Sequence, residues 1–500
     1  MSVRVRFAPS PTGFLHVGNV RTALFNWLFA RKSGGTFILR VEDTDAERSE
    51  SRFEEQLIAD MRWLGLDWDE GVEVGGERGP YQQKKRLSLY RKWAGKLLSK
   101  GDAYYCFCSA EQLEADREAQ RESGIIKYSG RCRDLDRNVA KARVRAGEEA
   151  TIRLRVREGK TSFEDLVYGP IEVDTSTIGD FILVRSDGSA QYNLACTIDD
   201  ALMEITHVIR GEGHISNTHR QLLIYEALGF EPPRFAHLST ILGPDGSKLS
   251  KRHGATSIAE FRELGYLPEA TINYLSLLGW SPAEDGNEIL QVEQIVREFT
   301  LERVNVSPAT FDLEKFNWVN RSHLKMLSAE SSLELALPYL KKAGLLPDPV
   351  TSETRNWGAE LAALLIPYID RFSELSHQAQ FVSAFNPELD LASPDVRDVL
   401  DQEGAIEVVT AFRDALNASE SQFVDFECYK ACVIAAKEQT GQKGKNLFRP
   451  IRVAITARAS GPELEKILPV IETGSQLELP VAILGVKERV NRVSDQLVAV

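Results

Sequence analysis

The fold is decided by residues 3–41, which read VRVRFAPSPTGFLHVGNVRTALFNWLFARKSGGTFILRV. Residues 3–7 alternate apolar and basic side chains, which predicts a strand, and a turn-rich loop follows. Residues 17–32 carry apolar side chains at helical spacing and end at Gly34-Gly35, while 36–41 predict a buried strand. A strand, a helix and a second strand in this order predict a parallel sheet.

The middle of the chain indicates a segment inserted into this sheet domain. Over residues 101–190 a charged helix is expected around 111–121, and Ser186-Asp187-Gly188-Ser189 predicts a hairpin turn. Short β-prone runs lie at 151–156, 169–173 and 181–184. We expect the sheet pattern to resume at residue 192 and to continue through 207–209 into a helix over 220–228.

The last third of the chain has the pattern of an all-α region. Ser393-Pro394-Asp395 is typical of a helix start, and from Asn320 onward alternating strand patterns are nearly absent. We therefore predict an α/β, Rossmann-like domain with an α+β insert, followed by helices. The predicted boundaries are 1–100 and 191–255 for the two sheet halves, 101–190 for the insert, 256–322 for a connecting region and 323–500 for the helical region.

Composition excludes several classes of protein. The 500 residues hold 60 Lys and Arg against 73 Asp and Glu, a formal charge of −13, which argues against a basic nucleic-acid coat. Local basic stripes still allow a nucleic-acid partner. The sequence has no apolar run that spans a bilayer and no signal-like start, and only six cysteines, so we expect a cytoplasmic protein. The stripes comprise Lys84, Lys85, Arg86, Arg91, Lys92, Lys96 and Lys100, and Lys443, Lys445, Arg449, Arg452 and Arg458.

Common nucleotide motifs are missing. Gly13 and Gly18 have the spacing of a Walker A loop, but Asn19 stands where its lysine belongs. A Gly-x-Gly-x-x-Gly fingerprint and a His-Glu-x-x-His zinc motif are also absent. If the protein binds a nucleotide, it must do so through another kind of motif.

Two short stretches of sequence have the properties of such a motif. The first lies at the strand-to-helix turn, where a helix N-terminus favours phosphate; there His16 can donate to a phosphate oxygen and Gly18 lets a flat base approach. The second places three cations in five residues, which can stabilise the charge on a leaving pyrophosphate. Either alone is more typical of an ordinary turn or surface loop; together they indicate a site. The first comprises Pro9, Ser10, Pro11, Thr12, Gly13, His16, Val17, Gly18 and Asn19, and the second Lys248, Leu249, Ser250, Lys251 and Arg252.

The two stretches resemble the paired signatures of class I aminoacyl-tRNA synthetases, known as HIGH and KMSKS. The segments 6–13 (RFAPSPTG) and 39–45 (LRVEDTD) are similar to the glutamyl and glutaminyl subgroup, and 63–66, 79–82, 311–315 and 443–457 extend the likeness. Over nearly the whole chain the sequence resembles bacterial glutamyl-tRNA synthetases. The resemblance implies that residues 101–190 bind the acceptor end of tRNA, that 256–322 contact its stem and that the helices of 323–500 bind the anticodon. The resemblance implies a ligase that converts L-glutamate and ATP to glutamyl-adenylate and pyrophosphate. It then transfers glutamate to the terminal adenosine of tRNA(Glu) and releases AMP.

The resemblance also implies roles for individual residues. Arg6 and Arg210 would hold the two carboxylates of glutamate, because guanidinium pairs well with carboxylate. Glu42 would bind the α-ammonium, and Ser10 and Tyr192 would supply hydroxyl contacts. Without the resemblance, Arg6 would be a strand-edge charge and Glu42 a helix cap. The glutamate-binding set is Arg6, Ala8, Ser10, Glu42, Tyr192 and Arg210.

ATP would be accompanied by Mg²⁺, although the sequence holds no dedicated metal cage. His16, Gly18, Asn19, Lys248, Ser250, Lys251 and Arg252 form the expected ATP-binding set. The sequence departs from the family at Asn19, where the general signature has histidine, and at Gly213, where an acidic residue is common. The second departure puts one nucleotide contact in doubt.

A possible zinc site lies in the insert. Cys106-Phe107-Cys108 followed by Cys132 resembles the zinc-binding insert of some family members, with Asp134 in the place of their histidine. Tyr128 is another conceivable ligand. A vestigial hairpin without metal is the alternative to a zinc site.

Other functions remain to be weighed at this point. A glutaminyl-tRNA synthetase would carry β-barrels in its last third. A short paralogue that glutamylates a modified base, or a small-molecule nucleotidyltransferase, would not need the long helical tail; a non-catalytic relative would be expected to have lost the lysine loop or Arg6. An enzyme that also charges tRNA(Gln) with glutamate stays open, since Ala359 or Glu360 stands where a discriminating arginine can occur. We expect a monomer.

Overall fold

The structure is a computed structural model and describes residues 2–44, 51–121, 127–283 and 286–498. The strands are β1 (Arg4–Phe7), β2 (Thr36–Leu39), β3 (Glu70–Gly71), β4 (Ala103–Cys106), β5 (Thr151–Leu154), β6 (Lys160–Asp165), β7 (Gly169–Asp174), β8 (Ile182–Val184), β9 (His207–Gly211), β10 (Arg234–Leu238), β11 (Ile241–Leu242) and β12 (Ala309–Thr310).

Helices α1 to α11 are α1 (Val17–Ser33), α2 (Ser51–Trp63), α3 (Leu87–Lys100), α4 (Ala110–Gln120), α5 (Arg137–Arg145), α6 (Tyr192–Leu202), α7 (Ile215–Leu228), α8 (Ile258–Leu264), α9 (Pro268–Leu277), α10 (Val292–Glu298) and α11 (Leu313–Leu324). Helices α12 to α22 are α12 (Ala329–Lys342), α13 (Ser352–Leu365), α14 (Leu375–Gln378), α15 (Gln380–Ser383), α16 (Pro387–Asp390), α17 (Pro394–Leu400), α18 (Ala405–Ala418), α19 (Phe426–Thr440), α20 (Lys445–Thr456), α21 (Leu464–Ser475) and α22 (Val486–Val498).

The predicted strand–helix–strand unit is confirmed. Strands β1 and β2 pair in parallel with Arg4 opposite Thr36 and Phe7 opposite Leu39. Helix α1 starts directly after His16 and stops at Gly34, whose φ of 58° is a left-handed conformation that glycine adopts without steric cost. The strand interiors are fully buried, as a parallel sheet covered on both faces requires.

The sheet continues beyond β1 on its other side. Strands β9 and β10 pair in parallel, and Thr206, just before β9, donates its backbone N–H to the carbonyl of Arg4 at 2.9 Å. The chain therefore goes from β1 outward to β2 and β3 on one side, and to β9 and β10 on the other. In such a sheet, ligands bind beyond the carboxyl ends of the strands at this switch between directions.

The middle segment differs from the prediction in one respect. Strand β6 pairs in parallel with β10 and antiparallel with β7, so this hairpin extends the parallel sheet instead of standing apart from it. The rest of the segment forms the separate antiparallel sheet β4–β5–β8. The hairpin turn at Ser186–Ser189 is present, since Arg185 N–H donates to the Ser189 carbonyl at 2.9 Å. The expected resumption of strand pattern at Tyr192 is wrong: residues Tyr192–Leu202 form α6, and the strand begins at His207.

The chain divides into two compact units, Met1–Arg262 with Pro268–Phe316, and Glu263–Leu267 with Asn317–Val500. In the described residues the second unit is helical, and α18 packs against α19, α20 and α22 to form its core. The helix start at Ser393-Pro394 is confirmed, with α17 beginning at Pro394.

Among the described residues, we find no helix with the length and apolar character to cross a membrane.

Candidate active site

Arg6 lies near the carboxyl end of β1, with 4% of its surface exposed. Its Nε donates to Oδ1 of Asp200 at 3.1 Å and its Nη2 to Oδ2 at 3.3 Å. Burial raises the pKa of Asp200, but Arg40 and Arg6 together lower it to about 2, so the carboxylate is ionised. Arg6 is therefore held rigidly by a residue of α6 and is not a solvated charge at a strand edge.

Arg40 and Glu42 extend this charged cluster. Arg40 is fully buried and donates to Oδ1 of Asp200 at 2.7 Å and to Oε1 of Glu42 at 3.1 Å. Burial raises the pKa of Glu42, and Arg40 and Arg6 offset part of that rise. Glu42 also donates its backbone N–H to the carbonyl of Pro9 at 2.9 Å, which ties it to the loop after β1.

Sequence reasoning missed Asp200 and Arg40. A detectable signal exists for Arg40, because a charged residue between Leu39 and Val41 in a buried strand requires a buried partner of opposite charge. Nothing local in the sequence identifies Asp200 as that partner, since the two residues are 160 positions apart.

Arg210 lies near the end of β9, the strand on the other side of β1 from β2. Its Nη2 donates to Thr218 at 2.7 Å and to Gln221 at 2.9 Å, and its Nη1 donates to the Tyr192 hydroxyl at 3.4 Å. The pKa of Tyr192 is raised, first by burial and then by Cys196, while nearby Arg210 lowers it.

Charges from both halves of the sheet act on the same hydroxyl. Besides Arg210, the groups that shift the Tyr192 pKa include Glu42, which raises it, and Arg6, which lowers it. Two arginines and one carboxylate near a half-buried tyrosine can hold a small molecule with two carboxylates and one ammonium group. Of the other residues predicted for this pocket, Ala8 is half-buried and Ser10 is exposed in the loop after β1.

The two signature stretches meet beside this pocket. Val17 N–H donates to the carbonyl of Thr256 at 3.0 Å, which fixes the turn before α1 against the chain that follows the second stretch. The pKa of His16 is lowered, first by burial and then by the charge of Lys248 in the second stretch. A Cβ on Gly18 would lie 3.3 Å from Cε1 of His16, which leaves little room for any side chain there.

The second stretch folds as a tight hairpin. Gly243 N–H donates to the carbonyl of Ser247 at 2.8 Å, and Leu249 N–H donates to the carbonyl of Ile241 at 3.0 Å. Arg252 forms an ion pair with Asp245 at 3.2 Å. Ser250 is exposed and Lys251 begins a 3-10 turn; the side chain of Lys251 lies outside the described part of the structure.

The structure describes the surroundings of Asn19 and Gly213, the two positions at which the sequence departs from the family pattern. Asn19 N–H donates to the carbonyl of His16 at 2.9 Å in the first turn of α1, and its side chain is exposed. A Cβ on Gly213 would meet nothing within 4 Å, so the fold places no steric demand for glycine at this position.

Three cysteine thiols come together in the inserted segment. The Sγ atoms of Cys106, Cys108 and Cys132 lie within 4.8 Å of one another. The Tyr128 hydroxyl lies 3.3 Å from Sγ of Cys106 and 3.4 Å from Sγ of Cys108. Burial raises the pKa of the Cys106 thiol, but hydrogen bonds, first among them the one with Tyr128, lower it to about 7.

Asp134 is not brought into this group. Its side chain is 91% exposed and pairs with Arg155 at 3.4 Å. The hydroxyl of Tyr128 instead contacts two of the thiols and accepts the backbone N–H of Cys132 at 2.9 Å. The donor set offered to a metal ion is therefore three thiols and one phenol.

The first basic stripe does not form one open surface. Arg86 is buried and its Nε donates to Asp199 at 2.6 Å, while Lys84 pairs with Asp43 at 3.2 Å. In the second stripe, Lys443 and Lys445 are exposed at the start of α20.

The chain is similar to known proteins over nearly its full length. Residues 2–318 match the family model described as tRNA synthetases class I (E and Q), catalytic domain, and residues 331–476 match the model of an anticodon binding domain. A glutamate–tRNA ligase of Desulforamulus reducens is 47% identical over 474 residues, which cover 94% of this chain and 97% of that protein. A glutamate–tRNA ligase of Natranaerobius thermophilus is 44% identical over 496 residues, covering 99% of this chain and 98% of that protein.

Two solved structures are also similar to the chain over nearly its full length. The crystal structure of a glutamate tRNA ligase from Elizabethkingia meningosepticum, in complex with its amino acid, superimposes with a TM-score of 0.86 at 30% identity. The alignment covers 99% of this chain and 100% of that chain. A glutamate-tRNA synthetase structure from Elizabethkingia anophelis matches with a TM-score of 0.84 at 31% identity over 99% of this chain and all of that chain.

Proposed function

Because the chain belongs to the class I tRNA synthetases of the E and Q group, we propose that it is a glutamate–tRNA ligase whose active site lies at the carboxyl ends of β1 and β9. The observation that carries the assignment of the site is that Arg210 donates to the Tyr192 hydroxyl, whose pKa is also shifted by the charges of Arg6 and Glu42. This arrangement complements a molecule with two carboxylates and an ammonium group, which glutamate is and glutamine is not.

In the first step an oxygen of the glutamate α-carboxylate attacks the α-phosphorus of ATP, and pyrophosphate leaves. Arg6 and Arg210 hold the two carboxylates and Glu42 holds the ammonium group. The N-terminal end of α1, with His16 and Gly18, receives ATP, since helix N-termini favour phosphate. The cations of residues 248–252 stabilise the charge on the departing pyrophosphate. Mg²⁺ bound with ATP would supply further charge neutralisation on the phosphates.

In the second step a hydroxyl of the terminal adenosine of tRNA attacks the carbonyl of the adenylate, and AMP leaves. The helical second unit would bind the anticodon of tRNA(Glu), which its match over residues 331–476 supports. In the described residues the last strand ends at Thr310, so this part of the chain has no β-barrel of the kind expected in a glutaminyl enzyme.

The inserted segment fits a structural zinc ion. Three thiols within 4.8 Å of one another supply three of the four ligands of a closed tetrahedral zinc site, and the phenol oxygen beside two of them is in reach as the fourth. We propose Cys106, Cys108, Tyr128 and Cys132 as ligands in place of the set that includes Asp134. Zinc bound there would fix the loop between α4 and α5 to the end of β4.

The enzyme is proposed to act in the cytoplasm as a monomer. All six cysteines are free thiols, the state that a reducing compartment maintains. Light scattering of the purified protein tests the oligomeric state.

The deciding experiment is aminoacylation with labelled glutamate and, separately, glutamine on purified tRNA(Glu) and tRNA(Gln) transcripts. Glutamate on tRNA(Glu) alone is the expected result of a discriminating enzyme. Glutamate on both transcripts would extend the tRNA specificity and require later amidation of Glu-tRNA(Gln). Failure to charge either tRNA by correctly folded protein would contradict the proposal.

A further inference from the structure

A buried hydrogen-bonded chain of three residues leads to Arg210. His237 on β10 is fully buried, with its Nδ1 2.6 Å from Oδ2 of Asp165 at the end of β6. Its other ring nitrogen, Nε2, lies 3.3 Å from Nε of Arg210 on the neighbouring strand β9 and 3.1 Å from Oγ1 of Thr218 on α7. Three adjacent strands of the sheet each contribute one member of this chain.

The chemistry of the two outer residues fixes the proton on the histidine. Oδ1 of Asp165 accepts the backbone N–H groups of Val167 and Tyr168, both at 2.9 Å, so its Oδ2 alone faces the ring. An ionised carboxylate can only accept, and therefore Nδ1 carries the hydrogen. Because Arg210 Nε–H can only donate, Nε2 must be the bare acceptor. Burial lowers the pKa of His237 although Asp165 raises it, which favours this neutral form.

The hydrogen bond from Nε orients the whole guanidinium of Arg210. Its Nη2 donates to Thr218 and Gln221, so one complete edge of the group is held by the protein. The remaining nitrogen, Nη1, is left facing the hydroxyl of Tyr192. Because the guanidinium is planar, fixing one edge determines where Nη1 points.

We propose that His237 and Asp165 are positioning residues for substrate binding, which hold Arg210 with Nη1 directed at a carboxylate of glutamate. The inference rests on the proposed function, since it takes the substrate to be glutamate. His237 acts through the acceptor at Nε2, and Asp165 acts by keeping the proton on Nδ1. A role in packing alone would require the shape of these side chains but not the direction of their hydrogen bonds.

Asp165→Asn separates the two roles. The variant keeps an oxygen for the backbone N–H groups of Val167 and Tyr168, and replaces Oδ2 by an amide that donates to Nδ1. The proton then moves to Nε2, where the Thr218 hydroxyl can accept it, and the Nε–H of Arg210 loses its acceptor. We expect the KM for glutamate in aminoacylation and the Kd of free L-glutamate in calorimetry to rise roughly tenfold or more, with the KM for ATP unchanged.

A pair of histidine variants tests the acceptor directly. In His237→Gln the side-chain oxygen can occupy the place of Nε2, whereas in His237→Asn the side chain is too short to reach Arg210. We expect the first variant to retain most of the affinity for glutamate and the second to lose about as much as Asp165→Asn. This pair decides the question even if Asp165→Asn does not fold.

His219→Leu is the matched control. His219 is also buried and its ring contacts the ring of Phe163, as that of His237 does, but in the described residues neither nitrogen of His219 has a hydrogen-bond partner. The control should keep the glutamate KM of the wild type. Equal affinities of His237→Gln and His237→Asn for glutamate, or an unchanged Kd for glutamate in a folded Asp165→Asn, would overturn this inference. Neither result would contradict the proposed function. Wild-type protein that binds glutamate but charges no tRNA would contradict only the proposed reaction, and protein that does neither would contradict both.

Discussion

Asp200 holds Arg6 along one edge of its guanidinium, with Nε 3.1 Å and Nη2 3.3 Å from the two carboxylate oxygens. The pairing joins β1 to α6 across 194 residues of sequence. Because this edge is occupied, Nη1 of Arg6 is the nitrogen available to a ligand, as it is in Arg210. Both arginines are thus oriented before the substrate arrives, which reduces the entropy lost on binding.

Arg6→Gln should weaken the preference for glutamate over glutamine. The amide cannot supply a positive charge to the second carboxylate, so the ratio of kcat/KM values should fall by at least about tenfold. Steady-state aminoacylation with each amino acid measures this ratio. Arg31→Gln, which removes an arginine paired with Asp69 near the surface, serves as the control and should leave it unchanged. An unaltered ratio in Arg6→Gln would remove Arg6 from the pocket.

Asp200→Asn should destabilise the protein at neutral pH and much less in acid. Removing the charge leaves Arg6 and Arg40 buried beside a neutral side chain, at a cost of about 3 kcal/mol. The pKa of Asp200 is lowered to about 2, so its stabilising effect is present above its unfolded-state pKa of about 4 and is lost as the pH falls towards 2.

Urea unfolding of wild type and Asp200→Asn at several pH values measures this difference. The gap between the two free energies of unfolding should be largest near neutrality and should narrow below about pH 4. A gap that stays constant down to pH 2 would mean that Asp200 is not charged in the folded protein.

Lys251→Ala should slow adenylate formation by roughly 100-fold, because one group that stabilises the leaving pyrophosphate is lost. Binding of tRNA, measured by filter retention, should change little. Lys466→Ala removes a lysine that pairs with Glu463 in the helical unit and should leave the activation rate unchanged. Equal activation rates for Lys251→Ala and the wild type would refute the role of this lysine.

Tyr128→Phe should weaken zinc binding. Elemental analysis of the purified wild type should give about one zinc per chain, and dialysis against a graded series of chelator concentrations should strip the variant first. Asp134→Asn is the comparison, because its exposed carboxylate lies outside the ligand group, and it should retain zinc like the wild type. If Asp134→Asn loses zinc at lower chelator concentration than Tyr128→Phe does, Asp134 is the ligand instead of Tyr128. Wild-type protein that contains no zinc would contradict the proposed site.

The parts of the fold that local pattern determines were predictable. Helical spacing, Gly34-Gly35 and the apolar run after them are enough for β1, α1 and β2. Helix α6 was misread as strand because its Tyr, Thr and Ile residues favour strands, and burial against neighbouring elements overrides that preference.

Residues of the proposed site can be suggested from sequence where a motif includes them, but not where they depend on a partner distant in sequence. Arg6, Glu42 and Arg210 follow from the resemblance, whereas Asp200, His237 and Asp165 depend on which strands become neighbours. The hairpin β6–β7 shows the cause: the β-prone run at 169–173 predicts β7, but no pattern in the sequence predicts that β6 pairs with β10, about 70 residues later. Pairing of this kind is decided by tertiary packing.

Joining this hairpin to the catalytic sheet limits how the enzyme can be recombined with its relatives. A graft that exchanges residues 101–190 as one block would replace an edge of the sheet and Asp165 together with the antiparallel subdomain. Chimaeras whose junctions spare Lys160–Asp174 would keep the native edge strand and its contact with His237. The exchangeable module is therefore discontinuous in sequence, made of the residues on either side of the hairpin.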